Sequence, residues 1–94
     1  MLSAVLLFVV QAVVAQGQRI SGTITDSFGP VMMANVVERD DNNRIVTAAV
    51  TDVNGNFTLV VKNPKNKLAV SYVGYKTVVL PIGSRTKLNV SMGS

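Results

Sequence analysis

The chain has 94 residues, of which 48% are hydrophobic and 15% are charged, and its formal net charge is +4. This length accommodates one small hydrophobic core and therefore one domain. The absence of cysteine excludes disulfides and thiolate zinc sites, and the absence of histidine excludes histidine-dependent triads and the commonest metal ligand.

The first fifteen residues are an apolar run, MLSAVLLFVVQAVVA, which is shorter than the ~20 residues of a membrane-spanning helix. Val13 and Ala15 are small residues at the positions that a signal peptidase reads. The run therefore predicts a signal peptide over residues 1–15, with cleavage before Gln16, and a mature domain over residues 16–94. No basic residue precedes Arg19, so the predicted signal peptide could be part of a longer leader. The alternative to a signal peptide is a buried first element of the fold.

Beyond this run, apolar and polar residues alternate in short segments that turn residues separate, which is typical of β-strands. Gly22 in the first segment is expected to allow the close approach of another strand. Phe57, Leu59 and Val61 place one aromatic and two aliphatic side chains on one face, which needs a partner sheet. The pattern predicts about seven short strands in an antiparallel β-sandwich. The predicted strands cover residues 19–25, 31–38, 45–51, 57–61, 68–75, 78–82 and 88–92.

Two of these segments carry a further positional signal. Leu68, Val70 and Tyr72 are expected to share one face of the fifth segment, and Gly74 is expected to bend it. Pro81 cannot donate a hydrogen bond to a sheet, so the segment over residues 78–82 is predicted to be an edge strand or a strand end.

Two turns share the pattern Thr-Asp-x-x-Gly, one containing Asp26 and Gly29 and the other Asp52 and Gly55. In each turn the aspartate can accept hydrogen bonds from backbone N–H groups two or three residues on, and the glycine can adopt a positive φ. We therefore interpret these four residues as structural turn residues without a catalytic role.

Every acidic residue precedes residue 53, so the cations of the C-terminal third face no acid in sequence. One interpretation is a basic surface that binds lipid headgroups or an acidic partner. The other is a sheet face and loop that the cations only make soluble, and the scattering of the cations along the chain favours it. Two tyrosines and three phenylalanines are too few for a base-stacking platform, so no nucleic-acid binding is predicted. The cations concerned are Lys62, Lys65, Lys67, Lys76, Arg85 and Lys87.

Candidates for chemistry are few. The polar loop Asp40-Asp41-Asn42-Asn43 could suggest calcium, but its spacing matches no calcium loop and no distal glutamate follows, so an ordinary hairpin tip is preferred. A Lys–Asn isopeptide bond would need a buried acid, and the segment from Lys62 onward, which holds every lysine, has none. The sequence therefore predicts no enzyme, no metal and no cofactor.

Several motifs together resemble a known family. They are Ile20–Asp26 (ISGTITD), Gly29–Val31 (GPV), Ala34–Val36 (ANV), Val50–Leu59 (VTDVNGNFTL) and Val70–Thr77 (VSYVGYKT). The pattern resembles the carboxypeptidase regulatory-like domain found at the N-terminus of SusC-like TonB-dependent outer-membrane transporters of Gram-negative bacteria. Met33 and Ala48-Ala49 depart from the family's usual glycine and Gly-Thr. The resemblance covers residues 19 to about 92 and implies an all-β, seven-stranded antiparallel Greek-key β-sandwich of the prealbumin/transthyretin type.

The resemblance implies a non-enzymatic scaffold or interaction module in the periplasm, associated with the outer membrane. The expected partner is an envelope protein or the attached transporter domains, with no membrane span after signal cleavage. The candidate partner-binding surface is an edge strand and a basic turn, formed by Lys62, Lys65, Lys67, Val78, Val79 and Leu80. The alternative is a purely structural accessory β-sandwich that stabilises a neighbouring domain and recognises nothing itself.

Overall fold

The computed structural model describes residues 18–93, which form strands and turns only. In these residues no helix is long and apolar enough to cross a membrane. The predicted signal peptide over residues 1–15 lies outside the described residues. The strands are β1 (Gln18–Asp26), β2 (Gly29–Pro30), β3 (Asn35–Arg39), β4 (Ile45–Val50), β5 (Asn56–Val61), β6 (Lys67–Ser71), β7 (Val78–Pro81) and β8 (Lys87–Ser91).

The strands form two sheets of four. In the first sheet, β1 pairs antiparallel with β2 and β5 and parallel with β8. The second sheet has the order β4-β3-β6-β7, and all its pairs are antiparallel. The edges of the second sheet are therefore β4 and β7.

The hydrophobic core lies between the two sheets and draws on both. Phe57, Leu59 and Val61 are all buried, as the alternation in β5 predicts, while the residues between them face outward. Each fully buried side chain of this size contributes about 1.5–3 kcal/mol of hydrophobic free energy. The other buried members of the cluster are Ile20, Ile24, Val31, Ala34, Val36, Leu68, Val70, Ile82, Leu88, Val90 and Met92.

The predicted antiparallel β-sandwich is confirmed, with eight strands where seven were expected. The additional strand is β2, in which Gly29 and Pro30 fold back on the end of β1. The parallel pairing of β8 with β1 was not predicted. It arises because the chain crosses from β7 in the second sheet to the free side of β1 in the first.

Two strand boundaries differ from the sequence prediction by more than one residue. The segment over residues 31–38, predicted to contain a strand, forms a turn up to Ala34, in which Met33 has a φ of 68°. β6 ends at Ser71, so Tyr72 does not continue the buried face of Leu68 and Val70 and is partly exposed. In both cases turn geometry interrupts a β-prone sequence.

Candidate functional site

Asp26 and Asp52 each accept hydrogen bonds within their own turns. Asp26 Oδ1 accepts the N–H of Phe28 at 2.8 Å. Asp52 Oδ1 accepts the N–H groups of Asn54 and Asn56, each at 2.9 Å. Both aspartates therefore stabilise the turns in which they lie. The glycines of the same turns, Gly29 and Gly55, have φ values of 131° and 74°.

Tyr75 connects one of these turns to the second sheet. Its hydroxyl donates to Asp26 Oδ2 at 2.8 Å, which joins the loop after β6 to the turn after β1. The hydrogen bonds from the Phe28 N–H and the Tyr75 hydroxyl lower the pKa of Asp26. The same bond to Asp26 raises the pKa of Tyr75. The Tyr75 hydroxyl therefore stays protonated, and its hydrogen bond to Asp26 links the two sheets.

Glu38 is the one fully buried charged residue of the described chain. Its Oε1 accepts the N–H of Lys62 at 2.8 Å and the hydroxyl of Thr47 at 3.1 Å. Its Oε2 accepts the N–H of Asn63 at 3.0 Å and the Nδ2–H of Asn66 at 2.7 Å. Burial opposes the ionised form, but these hydrogen bonds outweigh it and keep the pKa of Glu38 below its usual value.

The Glu38 carboxylate holds the loop between β5 and β6 against the end of β3. The three lysines next to or within this loop, Lys62, Lys65 and Lys67, are exposed. Because Glu38 binds backbone and amide groups, its charge is not paired with any of these three ammonium groups. The loop is therefore ordered by an acid, while its own cations remain free to contact a partner.

Most cations of the chain lie at this same end of the sandwich, which we call the basic end. Contacts between the loops define it: Gly83 N–H donates to Pro64 C=O at 3.0 Å, and Gln18 Nε2 donates to the carbonyl groups of Gly83 and Arg85. Lys67 and Arg39 face each other across β6 and β3. Of the 9 Lys and Arg residues, only Lys76 lies at the opposite end. The basic end comprises Arg19, Arg39, Arg44, Lys62, Lys65, Lys67, Arg85 and Lys87.

The acids at the basic end do little to neutralise it. Three acids lie there against eight cations: Glu38 is buried, Asp41 is exposed, and Asp40 is occupied by its own turn and by Arg44, whose Nε lies 3.3 Å from Asp40 Oδ2. In the described residues this is the single ion pair within 4.0 Å. The cations are scattered along the sequence, but the fold brings eight of them to one end of the sandwich.

The predicted edge segment is the strand β7, which lies beside the basic turn. Val79 is 51% exposed, whereas Val78 and Leu80 are half-buried against the core. Pro81 lies opposite Lys67, offers no N–H, and its carbonyl group accepts the Nε–H of Arg85 at 2.9 Å. The backbone of β7 therefore offers a partner fewer groups than an open edge strand would.

The opposite end of the sandwich carries exposed apolar side chains on its turns. Phe28, Met33, Val53 and Val73 are each more than half exposed. The turns that hold them are joined by hydrogen bonds from Met33 N–H to Thr51 C=O and from Tyr75 to Asp26. The two ends of the domain therefore differ in chemistry, one cationic and the other apolar.

A family model described as CarboxypepD_reg-like domain matches residues 20–93. The chain belongs to this family. The match spans almost all of the described sandwich, and it agrees with the resemblance that the Asp-x-x-Gly-Asn-Phe hairpin and the Ser-Tyr-Val-Gly-Tyr-Lys segment carry. A comparison with curated proteins gives no match.

Within this CarboxypepD_reg-like domain, the described residues contain no group of three or more acids that could hold a metal ion. Asp40 of the polar loop uses Oδ1 to accept the N–H groups of Asn42 and Arg44, each at 2.9 Å. A groove of about 500 Å³ on the outer face of the first sheet is lined by hydroxyl and amide groups and one lysine, without an acid.

Sequence reasoning missed two residues that organise the CarboxypepD_reg-like domain. In the sequence Glu38 resembles an ordinary acid at a strand end, although alternation places it on the same face as the buried Ala34 and Val36. Tyr75 lies in a motif that carries the family resemblance, but nothing in its local sequence names Asp26 as its partner. Both contacts join segments far apart in the chain.

Proposed function

We propose that this CarboxypepD_reg-like domain is a non-enzymatic interaction module of the periplasm, comparable to the N-terminal extension of a SusC-like TonB-dependent transporter. The observation that supports it most is the concentration of eight cations at one end of the sandwich. The partner that this end fits is an acidic segment of an envelope protein or of the attached transporter.

Nearby acids compensate only a small part of this positive charge. The basic turn presents three exposed lysines on a loop that Glu38 holds in place. Unpaired cations on an ordered surface attract acidic segments and accelerate their encounter, at a smaller entropic cost than cations on a mobile tail. We propose that the acidic segment contacts Lys62, Lys65 and Lys67 and extends along β7.

Replacing Lys62, Lys65 and Lys67 together by glutamate is expected to weaken binding of a decaglutamate peptide by about tenfold or more, because attraction becomes repulsion. Binding of the unaltered chain is expected to fall as salt rises, since the Debye length shrinks to about 8 Å at 0.15 M. Fluorescence anisotropy with a labelled peptide measures both effects.

The matched control is Lys76→Glu, which changes an exposed lysine at the opposite end. It is expected to leave binding of the decaglutamate peptide nearly unchanged. Because Lys76→Glu changes the net charge one third as much as the triple variant does, a loss of binding free energy for Lys76→Glu of about one third or more of the triple variant's loss would assign the binding to net charge alone and reject a defined basic surface. A polyglutamine peptide of equal length should not bind.

The transporter context has a separate test. Sequencing the DNA on both sides of this reading frame is expected to show an in-frame continuation into a plug and a barrel. A stop codon after Ser94 with no transporter gene beside it would contradict this part of the proposal while leaving the binding surface to be judged by the peptide experiment.

A purely structural accessory domain is the second candidate function. The exposed apolar side chains of Phe28, Met33, Val53 and Val73 favour it, because a neighbouring domain that packs there would cover them. This function predicts that deleting the domain lowers the abundance of its neighbour without changing the partners that co-purify with it. The interaction module predicts the loss of a partner at unchanged abundance.

A further inference from the structure

β4 is an open edge strand of the second sheet. Its sequence, Ile-Val-Thr-Ala-Ala-Val, contains no charge, no proline and no glycine, which are common devices that protect sheet edges. Ile45 and Val50 are at least half exposed, and Val46 is 38% exposed. β7, at the other edge, is by contrast protected by Pro81 and Arg85.

The backbone groups of β4 that point away from the sheet follow from its register with β3. Thr51 N–H donates to Ala34 C=O at 3.0 Å, and Val36 and Val37 lie opposite Ala49 and Ala48. Because hydrogen-bonded and non-hydrogen-bonded pairs alternate in antiparallel sheets, Ala49 faces β3. The N–H and C=O groups of Ala48 and Val50 therefore point to the open side.

We infer that β4 pairs antiparallel with β4 of a second copy of this chain, around a two-fold axis at Ala48. In this register Ala48 faces Ala48 of the second copy, and Val46 faces Val50 of the second copy. The outward-pointing groups then form the new hydrogen bonds. The two four-stranded sheets join into one continuous sheet across the dimer.

Charge complementarity selects this register over its neighbours. It places Arg44, which also forms an ion pair with Asp40 of its own chain, opposite Asp52 of the second copy, at both ends of the paired segment. A shift of two residues in either direction keeps the backbone pattern but sets Asp52 opposite Val46, or Arg44 opposite Val50, of the second copy. Such pairs put a charge against an apolar side chain, whereas the proposed register matches Val with Val and cation with anion.

A bulge limits the length of the new pairing. The register between β3 and β4 shifts between Glu38 and Arg39, so Val46 has no partner on β3. Bulges bend a strand and are one means of protecting an edge, so the strongest pairing is centred on Ala48, because Val50 of each copy faces Val46 of the other. The interface lies beyond β3 from the basic turn, so it and the acidic-partner proposal can fail independently.

Replacing Ala48 by cysteine tests the register directly. The natural chain has no cysteine, so the variant carries one thiol. Directly opposite residues of a hydrogen-bonded pair have Cα atoms about 5.5 Å apart, within the range that a disulfide spans. The full chain, exported to an oxidising compartment and run on a non-reducing gel, is expected to be mostly disulfide-linked dimer.

Val79→Cys is the matched control, because Val79 is exposed on the other edge of the same sheet. It is expected to remain mostly monomeric. Equal dimer formation by the two variants would overturn the proposal, as would Ala48→Cys chains that stay monomeric or that cross-link to a different protein.

Ala48→Pro tests the backbone pairing without a cross-link. Proline removes the outward N–H of Ala48 and leaves the hydrogen bonds between β4 and β3 intact. The dimer dissociation constant, measured by sedimentation equilibrium, is expected to rise by about tenfold or more relative to Ala48→Ser, which keeps the N–H.

If the proline variant fails to fold, Arg44→Glu is expected to raise the dimer dissociation constant in the same way, since it sets its new carboxylate opposite Asp52 of the second copy. Unaltered protein that stays monomeric at about 100 μM, which is about 100 times a dimer dissociation constant of about 1 μM, would reject the pairing.

Discussion

Replacing Glu38 by alanine is expected to lower the free energy of unfolding by about 3 kcal/mol or more. The substitution leaves the N–H groups of Lys62 and Asn63 and the Nδ2–H of Asn66 without their acceptor, in a part-buried network around the fully buried Glu38 side chain. An unsatisfied buried donor costs about 1–3 kcal/mol, and removing a charged acceptor raises this cost. A domain of this size has about 5 kcal/mol of stability, so most of it would be lost. Urea denaturation followed by circular dichroism measures the change.

Two further variants provide reference values for the loss of unfolding free energy in Glu38→Ala. Glu38→Gln keeps the shape and one acceptor oxygen, so a smaller loss of about 1–2 kcal/mol is expected. Asp41→Ala removes an exposed acid from the neighbouring loop and is expected to change stability by about 0.5 kcal/mol or less. An alanine variant of Glu38 as stable as the Asp41 variant would show that the carboxylate is dispensable for the loop.

The ionisation of Glu38 also makes stability depend on pH. Burial favours the neutral form, but the hydrogen bonds from Lys62, Asn66 and Asn63 hold the folded-state pKa below the reference value of 4.5. The unfolded chain therefore binds a proton first as pH falls. The stabilisation is fully present above about pH 4.5 and is lost as pH falls through the folded-state pKa. Asp26 and Asp40 act in the same direction, so the difference between the unaltered chain and Glu38→Gln isolates the contribution of Glu38.

Replacing Gly22 by alanine is expected to lower the free energy of unfolding by about 3 kcal/mol, because it forces two strands apart. An added Cβ would lie 1.6 Å from the carbonyl oxygen of Leu88 and 2.6 Å from its carbonyl carbon. These are backbone atoms of the parallel strand β8, so no side chain can rotate away. The measurable result is a fall in melting temperature of about 12–24 °C for a domain of this size.

Gly83→Ala is the control for Gly22. Gly83 has a φ of 55°, and nothing lies within 4 Å of an added Cβ. Only the conformational cost of about 1–2 kcal/mol applies there. A melting temperature for Gly22→Ala above that of Gly83→Ala would mean that β8 is not packed against β1 in this register.

The close approach at Gly22 illustrates how far the sequence leads. Glycine inside a strand pattern predicts that another strand comes near, and the structure identifies this strand as β8. Its parallel direction could not be predicted, because the alternation of Leu88 and Val90 is the same for either direction. Likewise, the pattern around Pro81 predicted the edge at β7, whereas nothing in Ile45–Val50 identified β4 as the other edge.

The sequence alone determined the β-sandwich, the two Asp-Gly turns and the family, because alternation and turn chemistry are local properties of a few neighbouring residues. Only the tertiary structure decided that Glu38 is buried, that eight of the 9 cations share one end, and that β4 is an edge strand of the second sheet. These features depend on the order in which strands pair and on which loops meet at each end. Residues far apart in the chain set that order together, so no local pattern records it.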